Sequence, residues 1–124
     1  QTFGDPILHV GPLGAGQEAR VLNNTVFTSQ LALAAEVFEL AASRGLDQGA
    51  IATILSSGSG RSYAAEVLAG SGYALDVFGP LAGELLAKDV GILVDRAGLD
   101  GTALLASADA ALERMGFARR STDG

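Results

Sequence analysis

Side chains able to bind a small anionic molecule cluster in the stretch HVGPLGAGQEARVLNN, residues 9–24. Arg20 and Asn24 are four residues apart, so a helix would project both from one face. Arginine can polarise a carbonyl or hold a carboxylate through two parallel hydrogen bonds, and asparagine can both donate and accept. Asn23 adds a second amide in a region where helix interiors disfavour asparagine. From the residue types alone, two interpretations of Arg20 stay open: part of a ligand site, or a solvated first-turn arginine that pairs with Glu18 or other acidic residues.

Three glycines, at positions 11, 14 and 16, precede these side chains and follow the strand-like run PILHV. A dinucleotide-binding loop has the order G-x-G-x-x-G, followed by a helix of modest length and a second strand that ends in an acidic residue. Here the spacing is reversed, the segment that follows is too long for such a helix, and no second strand follows it. The pattern therefore favours a tight turn, in which glycine permits a positive φ or a close backbone approach.

The segments that must position these groups are predicted to be almost entirely helical. No proline or glycine interrupts residues 17–44, which predicts a helix from Gly16 to Arg44, about 42 Å long at 1.5 Å per residue. Its apolar residues cover more than one face, so we expect burial on several sides. Shorter helices are predicted near 47–56, 62–69, 80–97 with Pro80 in the first turn, and from a cap at Asp100 or Thr102 to about Met115.

The fold class predicted from this pattern is all-α, with one long helix and about four shorter ones. One short strand, Pro6–Val10, precedes them and has no partner strand in the rest of the chain. We divide the chain into residues 1–13, the strand and junction, residues 14–117, the helical domain, and residues 118–124, a tail expected to be flexible.

Composition excludes several classes of protein. The chain has 124 residues, 48% hydrophobic and 18% charged, which suits one folded domain. A net charge of −6, with eight scattered lysines and arginines, argues against binding to nucleic acid or to an anionic membrane surface. No cysteine and a single histidine argue against a metal site built on either. No apolar run reaches the roughly 18 residues of a membrane span, and no signal peptide is recognisable, so we expect a cytoplasmic protein.

The junction motif resembles that of a known family. Gly14, Gly16, Arg20, Asn23 and Asn24 follow a short strand in the pattern G-x-G-x-x-x-K-x-x-N-N of the β-hydroxyacid dehydrogenases. That family includes 3-hydroxyisobutyrate dehydrogenase and, more distantly, 6-phosphogluconate dehydrogenase. The resemblance continues with SSGSGRS at 56–62 and LAKDVGIL at 86–93, and it covers nearly the whole chain.

This resemblance implies that the chain is the helical C-terminal domain of an NAD(P)-dependent oxidoreductase. The strand PILHV would then be the last strand of a Rossmann domain that is absent here, and that domain would bind most of the NAD or NADP. The resemblance also implies a small hydroxyacid as substrate and a homodimer built partly on the long helix.

The resemblance further implies roles for individual residues. Asn24, and less directly Asn23, would hold the carboxylate or hydroxyl of the substrate, close to which Gly14 would lie. Lys88 would reach the nicotinamide side of the cofactor; the alternative is a solvated helix lysine beside Asp89.

Arg20 stands where the family has a lysine that acts as general acid and base. Burial can bring a lysine towards the protonation equilibrium that such catalysis needs, whereas arginine stays protonated. Three hypotheses follow: an enzyme domain in which another group or water moves the proton, a non-catalytic dimerisation module of a degenerate relative, and an imine-type reductase that uses another proton donor.

Overall fold

The computed structural model describes residues 15–119, which form five α-helices. They are α1 (Ala15–Ser43), α2 (Gln48–Ser57), α3 (Tyr63–Ala69), α4 (Leu75–Ala97) and α5 (Ala103–Met115). No strand occurs within this range, which confirms the all-α class with one long and four shorter helices. The predicted strand Pro6–Val10, the junction glycine Gly14 and residues 120–124 lie outside the described residues.

The ends of α1 and α2 follow the predicted capping pattern. Gly45 has φ +73°, the left-handed conformation expected just beyond a helix. The N–H of Leu46 donates to the carbonyl of Ala41 at 2.8 Å, which closes the last turn of α1. Asp47 then caps α2, because its Oδ2 accepts from the N–H of Ala50 at 2.9 Å.

The start of α4 differs from the prediction. The helix begins at Leu75, so Pro80 lies in its second turn rather than its first. Proline cannot donate the hydrogen bond to the carbonyl of Asp76, and its ring normally disfavours helical geometry in the preceding residue. That residue is Gly79, which has no Cβ to clash, and both Gly79 and Leu75 are buried. Tertiary burial therefore keeps this turn helical despite the missing hydrogen bond.

The cap of α5 settles an open alternative. Thr102 caps the helix, because its Oγ1 accepts from the N–H of Leu105 at 3.1 Å. Asp100, the other candidate, lies in the exposed turn before it.

The core forms around α1, which packs against α3, α4 and α5. Small residues on α1 permit close helix packing, and two buried threonines satisfy their hydroxyls within the helix. Thr25 donates to the carbonyl of Val21 at 2.8 Å and Thr28 to that of Asn24 at 2.7 Å. Among the described residues the largest fully buried side chain is that of Phe38, whose ring centroid lies 4.9 Å from that of Tyr73. The buried cluster also includes Leu31, Leu68, Leu86, Val90 and Leu112.

The first helix is also long and apolar enough, over Gly16–Ser43, to cross a membrane by length and composition. Core helices of soluble proteins pass the same test, so this is weak evidence. Of its most apolar 18-residue window, 44% is buried inside the domain.

Two ion pairs join α1 to its neighbours on the surface. Glu18 pairs with Arg96 of α4 at 3.3 Å, and Glu39 pairs with Arg114 of α5. The hydrogen bond to Glu39 raises the pKa of Arg114, with burial opposing it. A raised pKa means that this contribution is lost only as the pH rises into the strongly alkaline range, so it gives no pH dependence of stability near neutrality.

Gly79 and Gly83 form a notch on α4 that receives the end of α5. A Cβ at Gly79 would lie 2.8 Å from the carbonyl oxygen of Met115, and one at Gly83 would overlap the ring of Phe117. We expect Gly79→Ala to lower the free energy of unfolding by about 2 kcal/mol, because a backbone atom must move to relieve the overpacking. Urea unfolding followed by circular dichroism measures this difference.

Gly70→Ala is the matched control for this substitution. Gly70 has φ −79°, and a Cβ there would meet no atom closer than 3.6 Å. This variant should be neutral or more stable by roughly 0.5 kcal/mol. Equal destabilisation by both substitutions would contradict the close contact between α4 and α5.

Candidate functional site

The site is built on α1 and α4, which lie side by side in opposite directions. Glu18 of α1 bonds Arg96 of α4, and Asn24 of α1 bonds Asp89 of α4. The six steps from residue 18 to residue 24 span about 9 Å, and the seven steps from residue 96 to residue 89 span about 10.5 Å. The two contacts are therefore similarly spaced along both helices, as antiparallel packing requires. This pairing brings Lys88 and Asp89 of α4 to the level of Asn23 and Asn24 on α1.

The contact between Asn24 and Asp89 is the central polar interaction of the site. Asn24 Nδ2 donates to Asp89 Oδ2 at 2.7 Å, across 65 residues of sequence. Asp89 is only 8% exposed, and Asn24 is half-buried. An ionised carboxylate can only accept, and a short bond to it is stronger than one between neutral groups. The contact therefore holds Asn24 in one orientation.

Asp89 is a site residue that our sequence analysis did not select. The signal was present in the sequence: Asp89 is three residues after Leu86 and four before Leu93, both buried on α4. An acidic residue on the apolar face of a helix needs a hydrogen-bonding partner. What the sequence could not supply was the identity of that partner.

A cavity of about 380 Å³ opens beside the two asparagines. This volume lies at the small end of ligand-binding pockets. Aromatic rings line one side, with the centroid of Phe27 5.7 Å from that of Tyr63. The cavity is lined by Asn23, Asn24, Val26, Phe27, Gln30, Tyr63, Ala82, Leu85 and Leu86. Its apolar lining and the three amide side chains of Asn23, Asn24 and Gln30 suit a small, partly polar molecule.

Phe27 and Tyr63 were also missed by the sequence analysis. Phe27 is three residues after Asn24, which places it on the same side of α1. Tyr63 follows the SSGSGRS loop as the first residue of α3, and it is 70% exposed. Only the packing of α3 against α1 brings the two rings together.

Arg20 lies one turn before Asn24 on the exposed surface of α1 and does not line this cavity. Glu18, which could have paired with it, bonds Arg96 instead. Within residues 15–119 the Arg20 guanidinium forms no hydrogen bond or ion pair. The guanidinium is thus available to an anionic or carbonyl group.

Lys88 is exposed on α4, immediately before Asp89. The carboxylate beside it bonds Asn24, and no ion pair to Lys88 is found in the part of the chain that the structure describes. Its ammonium group can therefore meet an anionic ligand. The structure thus brings Asn23 and Asn24 together at the cavity, with Arg20 and Lys88 outside the cavity lining.

Residues 15–119 lack both the elements of a phosphate-binding loop and the side-chain groups of a metal site. Residues 15–119 contain no strand followed by a glycine-rich turn and a helix, so no phosphate cradle is found there. Beside the site, the exposed charges of Lys88 and Arg20 fit an anionic ligand such as a dinucleotide. No three histidine, aspartate or glutamate side chains converge on a metal-sized position in this range.

Comparison with known families matches residues 14–122 to the family described as "NAD-binding of NADP-dependent 3-hydroxyisobutyrate dehydrogenase". The chain belongs to the 3-hydroxyisobutyrate dehydrogenase family. This confirms the resemblance carried by the junction motif, and NAD or NADP is the cofactor associated with the family and its relatives.

Three curated relatives illustrate the range of the family. The NAD-dependent L-serine dehydrogenase of Pseudomonas aeruginosa is 32% identical over 78% of this chain and 35% of its own length. The 2-(hydroxymethyl)glutarate dehydrogenase of Eubacterium barkeri is 33% identical over 81% of this chain and 33% of its own. The mitochondrial 3-hydroxyisobutyrate dehydrogenase of Rattus norvegicus is 30% identical over 83% of this chain and 33% of its own.

The chain spans about a third of the length of these family members. No solved structure matches it.

Proposed function

We propose that this chain is the C-terminal helical domain of an NAD(P)-dependent oxidoreductase that acts on small hydroxyacids. The observation that carries the proposal is the amide of Asn24, held by Asp89 at the edge of a small cavity. The three relatives described above are named as dehydrogenases of hydroxyl-bearing acids, which supports this substrate class. In this proposal the domain is inactive alone, because the phosphate-binding loop belongs to another domain.

In this proposal the residues of this chain bind and orient the substrate and the cofactor. Bound NAD(P) supplies the nicotinamide that exchanges a hydride with the carbon bearing the substrate hydroxyl. Asn24 and Asn23 hold the polar groups of the substrate, and Lys88 approaches the nicotinamide side of the cofactor. Arg20 binds the carboxylate of the substrate or polarises its carbonyl.

Removal of the proton from the substrate hydroxyl is the step in which Arg20 is a poor catalyst. During oxidation this proton must leave as the hydride departs, and a protonated guanidinium cannot accept it. Water or another group therefore takes the proton in this protein. We infer a slow chemical step with binding of substrate preserved.

A second candidate function is a non-catalytic helical dimerisation module. It is favoured by an exposed apolar surface, which includes an α1 stripe formed by Leu22, Val26, Leu33, Val37 and Leu40. At 100° per residue these five side chains fall within about 60° of one another around the helix. In either function we expect the α1 stripe to be covered by a second copy in a homodimer.

An α4 stripe extends the same apolar surface. It consists of Val77, Leu81 and Leu85, of which Leu81 is 79% exposed. Leu85 of the α4 stripe and Val26 of the α1 stripe both line the cavity. A partner that covers both stripes would therefore also close the cavity to water.

The enzymatic proposal is tested by comparing this chain with the longer protein that carries its upstream coding sequence. We expect calorimetry to show no micromolar binding of NADPH to this chain, because residues 15–119 form no phosphate cradle. The longer protein should bind NAD or NADP and oxidise a small hydroxyacid such as 3-hydroxyisobutyrate or L-serine. Tight binding of NADPH by the chain alone, or an upstream sequence without a dinucleotide-binding loop, would contradict the proposal.

A further inference from the structure

The burial of the Asp89 carboxylate is not explained by a contribution to the stability of the fold. It is 8% exposed, lies among apolar residues of α4, and its carboxylate has the neutral amide of Asn24 as its bonded side-chain partner among residues 15–119. Removing a carboxylate from water is costly, and one amide compensates for this only in part. An apolar side chain would fill the position at lower cost. The carboxylate is therefore better explained by what it does to Asn24.

An ionised carboxylate determines which end of the amide faces it. Asp89 can only accept, so the nitrogen of Asn24 must point towards it and the carbonyl oxygen Oδ1 must point elsewhere. Among residues 15–119, the hydrogen bond to Oδ1 comes from Asn23 Nδ2, at the long distance of 3.4 Å, between exposed groups. Asn24 therefore presents a fixed and weakly engaged acceptor beside the cavity.

We propose that Asp89 is a positioning residue that makes Asn24 a receptor for a hydroxyl or ammonium donor rather than for a carboxylate. An oxygen acceptor attracts an O–H or N–H group and repels a carboxylate oxygen. The hydroxyl of the substrate thus bonds Asn24 Oδ1, and its carboxylate is left to a cation, for which Arg20 is the nearest candidate on α1. The identity of the substrate in this inference rests on the proposed function. The fixed orientation of the Asn24 amide does not.

The state of the amide is tested on this chain by nuclear magnetic resonance. The two asparagine side chains provide an internal comparison, because Asn23 is exposed and has no carboxylate partner among the described residues. We expect the Asn24 side-chain N–H groups to exchange with water about tenfold to a hundredfold more slowly than those of Asn23, as a hydrogen bond to a charged group implies. Equal exchange rates in the unmodified chain would overturn the proposal without any variant.

Asp89→Asn then removes the directional constraint while keeping the shape. The new amide can offer either an oxygen or a nitrogen to Asn24, so the protection of Asn24 should fall to within about threefold of Asn23. Asp109→Asn is the control, since Asp109 lies on α5 and pairs with Arg119. It should leave the exchange of Asn24 unchanged; unaltered protection in Asp89→Asn would overturn the proposal.

The consequence for substrate is tested on the longer protein. Asp89→Asn should raise the KM for 3-hydroxyisobutyrate about tenfold and leave the inhibition constant of isobutyrate, which lacks the hydroxyl, within about twofold. Equal weakening of both ligands would mean that Asp89 only supports the fold, which contradicts the proposal. If the longer protein oxidises no hydroxyacid, the proposed function fails, and the exchange measurement still decides the role of Asp89.

Discussion

Replacing Arg20 with lysine should raise kcat for a hydroxyacid by about a hundredfold in the longer protein, if its upstream sequence carries an intact dinucleotide-binding loop. General acid–base catalysis contributes roughly 10²- to 10⁴-fold, and lysine can be brought towards the required protonation equilibrium where arginine cannot. The surrounding motif of Gly16, Asn23 and Asn24 is otherwise present. Initial rates at saturating hydroxyacid and cofactor measure the effect.

The pattern of kcat and KM distinguishes a repaired proton transfer from a general gain. A rise in kcat that far exceeds any change in KM means that the new lysine acts in the transition state. Arg44→Lys is the matched control, because Arg44 is also exposed and follows the other end of α1. It should leave kcat unchanged. An unchanged kcat in Arg20→Lys would show that Arg20 does not occupy the acid–base position, and the non-catalytic alternative would then be favoured.

A charge in the middle of the α1 stripe should dissociate the proposed homodimer. Leu33 is 54% exposed at the centre of that stripe. In a twofold dimer each substitution occurs twice, and losing at least 2 kcal/mol per buried leucine weakens association by roughly a thousandfold. We therefore expect Leu33→Asp to be a monomer by light scattering and sedimentation at concentrations where the unmodified protein is a dimer.

The control for this substitution is Ile54→Asp. Ile54 is 63% exposed on α2 and belongs to neither stripe, so its variant should remain a dimer. Both should be made in the longer protein as well as in this chain, because an upstream domain could also cover the stripe. A monomeric unmodified protein, or a dimeric Leu33→Asp variant, would contradict the proposed interface.

The two proposals about the site are linked by its charge arrangement. If Asn24 Oδ1 binds the substrate hydroxyl, Arg20 is left to bind the carboxylate, where a permanent charge is an advantage. Lysine at position 20 would then improve proton transfer and bind the substrate carboxylate less tightly. A modest rise in KM together with the gain in kcat for Arg20→Lys would support this division of roles.

Much of the fold follows from local signals. The run without glycine or proline predicts the length of α1. Gly45, through its left-handed backbone, marks the end of α1, and Asp47, through its side-chain cap, marks the start of α2. Pro80 gave the wrong start for α4, because a proline was taken as a first-turn residue when the preceding Gly79 and the burial of Leu75 allow the helix to begin earlier.

The sequence by itself determined the helical class and the common face of Arg20 and Asn24, because capping and the i, i+4 spacing are local properties of one helix. It also determined the family, through the junction motif. Only the tertiary structure decided that Asn24 meets Asp89, that Phe27 and Tyr63 border a cavity, and that Glu18 pairs with Arg96 rather than Arg20. Each of these contacts joins residues far apart in the chain. Their partners are fixed by how α1, α3 and α4 pack around a shared core, which no local spacing specifies.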